Sequence, residues 1–229
     1  MLSIAAVIGV GCSIYYNQTL ARLRQTHSEL REQVGFLEVD DPTKVAISYV
    51  PYSDESIPPG VTQAYVWRYR MHIPANYGPC YRTQRGLVKA DSPQGRGGSG
   101  SSSSSSSPEP KEVLATMALV QSEGKWILCR SVQGSSSTSN MPDEFDIDSL
   151  DDLVIETPVS AKDATRTFET DEAICLMRVR EKDLAKKRNG EAEKDLYRGF
   201  AVYLYSSKHK DAFFAWASGK SESMQEAKP

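Results

Sequence analysis

Tyr65-Val66-Trp67-Arg68-Tyr69-Arg70-Met71-His72-Ile73 is the stretch that decides the fold. Tyr65, Trp67, Tyr69, Met71 and Ile73 alternate with Val66, Arg68, Arg70 and His72, so an extended chain here has one large apolar face and one mostly polar face. Strand side chains alternate between two faces, and a period of two over this length marks a half-buried strand. Val45, Ile47 and Tyr49 make a shorter version ahead of Pro51, and residues 81–88 a third. Residues 113–120 and 126–129 are almost wholly apolar, and Ser122-Glu123-Gly124 between them suits a type I turn closed by a left-handed glycine, hence a hairpin. Residues 174–179 and 200–205 bring the expected strands to about seven.

Strands with irregular connections and no repeated helix between them predict a mainly β domain over residues 40–205, an antiparallel sandwich or open barrel rather than an α/β fold. The Ser/Gly-rich segment 91–111 has too little apolar area to offset its ordering entropy, so a flexible insertion between strands is expected. Residues 182–195 read as a charged loop. Residues 206–229 read as a mostly mobile tail in which Phe213, Phe214 and Trp216 either close the core or cap an edge. The 27 basic and 30 acidic side chains give a net charge of −3, which argues against a general nucleic-acid binder. Four cysteines without a close pair exclude a zinc ribbon and a dense disulfide framework.

Ahead of the β domain, residues 2–16 carry no charge and end in Tyr15-Tyr16, as at a membrane interface. Residues 1–19 are therefore expected to be a single-pass membrane anchor, although fifteen helical residues reach only about 22 Å against a hydrocarbon core of about 30 Å. A buried helix is the bland alternative, and Gly9-Val10-Gly11-Cys12 leaves lipidation of Cys12 open. Leu20, Leu23, His27, Leu30, Val34 and Leu37 follow at spacings of three and four, the seam of a short coiled coil, so residues 20–39 are expected to form a helical stalk that self-associates or else lies on its own β domain. Asp40-Asp41-Pro42 ends it. Arg22, Arg24 and Arg31 follow the apolar segment with no basic residue before it, which favours a cytoplasmic β domain.

Catalytic chemistry is hard to find. His27, His72 and His209 are far apart, and no nucleophile elbow, phosphate-binding loop, dinucleotide fingerprint or zinc-protease motif is present, so no catalytic residue, cofactor or metal ligand is expected. The acidic run Asp143, Glu144, Asp146, Asp148, Asp151, Asp152 fails EF-hand spacing and reads as a solvated loop. Arg68, Arg70, Arg82, Arg178 and Arg180 fall at alternating strand positions; if those strands are neighbours they form one anion-binding face, and otherwise the ordinary wet side of a sheet. Cys129 and Cys175 read as core thiols, with a bridge between them open if their strands are adjacent.

Residues 67–74 (WRYRMHIP), 124–128 (GKWIL), the Ser-rich segment 134–139 and residues 168–179 (FETDEAICLMRV) resemble a group of uncharacterised single-pass, membrane-anchored proteins of planctomycete-type bacteria. The resemblance implies membrane attachment and a bacterial origin, and brings no activity to transfer. The expectation is thus a non-enzymatic, membrane-anchored β domain for binding or assembly. The alternatives are an envelope domain that binds an anionic ligand through its arginine face, or an enzyme of unfamiliar type whose minimum requirement is a pocket joining His72 to a carboxylate.

Overall fold

Twelve strands form two antiparallel sheets of six in the computed structural model, which describes residues 37–52, 61, 63–142, 145, 150–160, 165–186 and 192–226, with Thr19, Leu20 and Arg22. The strands are β1 (Val45–Val50), β2 (Gln63–Ile73), β3 (Pro79–Val88), β4 (Gly95–Arg96), β5 (Ser99–Ser103), β6 (Lys111–Ser122), β7 (Lys125–Val132), β8 (Ser135–Asn140), β9 (Leu153–Glu156), β10 (Arg166–Phe168), β11 (Ile174–Glu181) and β12 (Tyr197–Ser206). The first sheet runs β10-β1-β2-β6-β7-β8. The second runs β4-β3-β12-β11-β9, with β5 also paired to β3.

The opening stretch is the centre of the first sheet. β2 pairs along its full length with β6, Gln63 opposite Gln121 through Ile73 opposite Lys111. Its alternation is then converted into burial: Tyr69, Met71 and Ile73 join Val113, Ala115, Met117 and Leu119 of β6 in the core. Ile174, Leu176 and Val179 of β11 and Phe200, Val202 and Leu204 of β12 face them from the second sheet, so one apolar core lies between the two layers.

Two tight turns fix the register of the edge. Glu123 and Gly124 both have positive φ, 52° and 74°, between the paired residues Ser122 and Lys125, a type I′ turn rather than the type I turn expected. Gln133 and Gly134 repeat the device at 52° and 76° between Val132 and Ser135. The strand it launches, Ser135–Asn140, has no apolar residue at all.

The segment expected to be a flexible insertion contributes β4 and β5, both paired with β3. After β12 the chain makes a 3-10 turn, Ser207–His209, and then α1 (Lys210–Ala217). Ser206 starts this turn: its hydroxyl donates to the Tyr77 carbonyl at 2.6 Å and accepts from the Lys208 amide at 3.3 Å. Phe213 is fully buried against the outer face of the second sheet, stacked on Tyr205 at 3.9 Å with Tyr203, Ala201 and Cys80 around it. The tail expected to be mostly mobile thus supplies a third layer.

The expected long amino-terminal helix is corrected. Residues 1–18, 21 and 23–36, which carry most of the expected anchor and stalk, lie outside the described residues, as does Cys12. Thr19, Leu20 and Arg22 are helical, the longest continuous helical stretch among the described residues is Ser207 to Ala217 near the carboxy terminus, and among those residues no helix is long and apolar enough to cross a membrane. Leu20, first in the expected seam, is exposed. That finding overturns the single-pass membrane placement, the coiled coil and the membrane-side reading built on them. The physical weakness was in the length, since about 22 Å of uncharged helix falls short of a bilayer core.

Candidate functional site

The two-sheet arrangement separates the five arginines. Arg68 and Arg70 leave β2 opposite to the core-facing Tyr69 and Met71, on the outer face of the first sheet, whereas Arg82, Arg178 and Arg180 stand on the outer face of the second. Two faces with a core between them cannot be one anion-binding surface. Most of these guanidinium groups are also engaged. Arg70 Nη2 meets Glu112 Oε2 at 2.7 Å, and Arg82 lies 5.2 Å from the centre of the Phe214 ring. Arg178 is buried, donates to the Tyr203 hydroxyl at 2.6 Å, and contacts the Ala90 carbonyl and Glu156. Arg180 reaches the same Glu156 at 3.7 Å and lies 4.4 Å from the Tyr197 ring centre. Arg68 is half-buried between its β1 and β6 neighbours, Val50 and Thr116.

A cavity of about 340 Å³ opens instead where β3 ends and β12 begins. Gly86 and Gly97 form one wall, and both need to be glycine. At φ of 104° and 121° a side chain is strained, and a Cβ would stand 2.8 Å from the Arg96 carbonyl oxygen and 2.5 Å from that of Arg85. Leu87, Pro142 and Phe145 give the cavity an apolar lining. Phe145 is positioned by its own amide, which donates to the Pro142 carbonyl at 2.9 Å, and by an edge-on contact with Phe200 at 6.5 Å.

Two guanidinium groups line the same space, Arg96 and Arg198, and their situations differ. Arg96 Nη2 is held by Glu193 Oε1 at 2.5 Å. Arg198, opposite Leu87 in the β12–β3 ladder, has no carboxylate within ion-pair distance among the described residues. The nearby Glu181 carboxyl is held above its ordinary value by burial, against the opposing pull of Arg198. An apolar lining with a cation that has no bonded counter-charge among the described residues suits a ligand with an apolar body and an anionic head.

The opposite end of the sandwich has a smaller, more polar cavity of about 220 Å³ with Pro42, Asn76, Tyr77, Lys208 and His209 in its wall. His72 is buried and its Nε2 donates to the Pro42 carbonyl at 3.1 Å. No carboxylate lines this cavity among the described residues, and no group of three His, Cys, Asp or Glu there could hold a metal ion. Cys80, Cys129 and Cys175 are free thiols. Cys129 and Cys175 belong to different sheets, so the bridge left open by the sequence is corrected. Of the acidic run, Asp151 and Asp152 sit in a 3-10 turn, Leu150–Asp152, and the other four acids lie outside the described residues.

Sequence reasoning missed Arg96, Arg198 and Phe145 because nothing in their local pattern marks them. The nearest signal was the glycine pair Gly86 and Gly97, which only pairing across β3 and β4 makes meaningful. No protein-family model, curated protein or solved structure matches the chain.

Proposed function

We propose that the chain is a binding domain, not a catalyst, and that its end cavity takes a small amphiphilic anion with the head group at Arg198 and the apolar body against Leu87, Pro142 and Phe145. The observation that supports this reading is the pairing of an apolar cavity of ligand size with a guanidinium, that of Arg198, which among the described residues has no carboxylate within ion-pair distance. A volume of about 340 Å³ falls at the lower end of the roughly 300–1,000 Å³ usual for ligand sites, so the ligand is a short-chain molecule. A charge-assisted hydrogen bond to Arg198 would be stronger in this partly desolvated setting than at the open sheet faces.

The test is calorimetric titration of the full chain with octanoate and with 1-octanol, which share the apolar body and differ in the head. Octanoate should bind at least tenfold tighter. Arg198→Gln should remove that preference, and Phe145→Ala should weaken both ligands. Equal affinity for the two probes in the unaltered protein, or no saturable binding of either, overturns the proposal.

A further inference from the structure

The inner surface of the sandwich is not apolar everywhere. Arg130 in β7 stands opposite Met117 of β6, a fully buried core residue, so its side chain leaves the strand toward the interior. Thr83 and Arg85 in β3 stand opposite Val202 and Phe200, again core residues, and share that inner face. Ser102 of β5 lies beside Tyr81 on the same side. One corner between the sheets is thus lined by two arginines and several hydroxyls where aliphatic side chains would be the ordinary solution.

Among the described residues the cations there have no bonded counter-charge. Arg130 Nη2 donates to the Ser102 hydroxyl at 2.8 Å, Nη1 lies 3.4 Å from the Thr83 hydroxyl, and its guanidinium is 5.6 Å from the Tyr81 ring centre. Arg85 Nη1 donates to the Asn140 carbonyl of β8 at 2.9 Å, while its Nε is buried without an acceptor. Among the described residues neither arginine has a carboxylate within ion-pair distance. The bordering edge strands, Ser99–Ser103 and Ser135–Asn140, contain no acidic residue. Burial also pulls the Arg130 pKa down, a sign of a cation short of compensation. The corner has room as well: Gly100 pairs with Thr83, and a Cβ on it would meet nothing within 4 Å. Both guanidinium groups are only half-buried, so their unused donors face an open corner in which no carboxylate among the described residues meets them, and that points to an anion that completes the site.

We infer that this corner, built by Arg130, Arg85, Thr83 and Ser102, binds a tetrahedral oxyanion, the phosphoryl group of free phosphate or of a small phosphomonoester. A guanidinium fork matches such an oxyanion bidentately, and hydroxyls donate to its remaining oxygens. The inference does not rest on the amphiphile reading, since neither Arg130 nor Ser102 lines that cavity.

The experiment is titration of the full chain with inorganic phosphate and with glucose 6-phosphate, at constant ionic strength, followed by calorimetry and ³¹P NMR. Saturable binding is expected, weakened at least tenfold by Arg130→Gln and by Gly100→Val, which fills the open space without touching a charge. Arg68→Gln, which removes one positive charge from an outer face, should leave it unchanged. Tighter binding of one probe identifies free phosphate or the monoester as the source. Absence of saturable binding overturns the inference. So does binding that survives Gly100→Val in a folded protein, or that falls as much with Arg68→Gln as with Arg130→Gln. Should Arg130→Gln fail to fold, Gly100→Val alone decides.

Discussion

Phe213→Ala should unfold much more than one short helix. The ring is fully buried, stacked on Tyr205 at 3.9 Å and 8°, with Trp216 edge-on at 6.3 Å, Phe214 at 6.1 Å and Tyr203 at 5.9 Å. Truncating a buried phenylalanine costs about 3–5 kcal/mol, from lost transfer energy and the cavity left behind. The upper half of that range is expected here, because the ring has aromatic neighbours on several sides and pairs of this kind add about 0.5–1.5 kcal/mol beyond area. Against a domain stability of about 5–15 kcal/mol the loss is large. With a urea m-value of about 2 kcal/mol/M, a loss of about 4 kcal/mol lowers the midpoint by about 2 M. Urea unfolding followed by tryptophan fluorescence and far-ultraviolet circular dichroism reads the shift. Phe214→Ala is the comparison, since Phe214 is only partly buried, and it should cost about a third as much. A Phe213→Ala loss below about 1 kcal/mol, or a separate early transition that leaves the sheet midpoint unmoved, would refute the reasoning that α1 belongs to one cooperative core.

Further outcomes follow from individual buried contacts. Arg178→Met should cost about 2–3 kcal/mol, less than for a fully buried pair because Glu156 is 38% exposed, and a double-mutant cycle with Glu156→Gln should give a coupling above about 1 kcal/mol; zero coupling removes the pair from the account. Gly199→Ala drives a Cβ to 2.1 Å from the Val179 carbonyl oxygen and 2.8 Å from the Arg180 Cα, backbone that cannot swing aside, so Tm should fall by about 5 °C or more. Gly100→Ala, with open space around it, should be near neutral in the same scan. Stability should also decline at alkaline pH. Burial raises the Cys175 thiol to about 11 and the Tyr205 phenol to about 12, and pushes Tyr69, Tyr77, Tyr81 and Tyr203 upward. The folded state therefore holds protons the unfolded state releases. The stability from Cys175 is complete below the unfolded value near 9 and is lost as pH rises to about 11, at about 1.4 kcal/mol per pH unit per group. A urea midpoint flat between pH 8.5 and 10.5 contradicts this.

The strands that could be read from the chain and those that could not divide along one physical line. The seven expected strands correspond to β1, β2, β3, β6, β7, β11 and β12, which are the seven interior strands of the two sheets. Each is flanked on both sides and contributes to the core, so each carries either apolar residues at period two, as in β2, or, where both faces are covered as in β12, a nearly continuous apolar run. The five that were missed, β4, β5, β8, β9 and β10, all lie at sheet edges. Two of them, SGSSS and SSSTSN, are polar throughout, and an edge strand with little core face has no hydrophobic period to detect. Turn chemistry was the available signal for β8: Gln133-Gly134 is a type I′ hairpin in the same form as Glu123-Gly124.

The candidate sites were less legible for the same kind of reason. Five arginines at alternating strand positions were grouped by assuming neighbouring strands, and sheet order sent them to opposite faces. Arg130 was invisible as a candidate because a charged residue on a strand reads as outward, whereas its register opposite Met117 turns it inward. The chain by itself determined a mainly β architecture and its central strands, because burial of a strand on one face imposes a local period of two and burial on both imposes a short continuous apolar run. Tertiary structure alone decided which strands are neighbours, which arginines meet a carboxylate, and that Phe213 completes a core, because these depend on pairings between residues far apart in the chain that no local pattern encodes.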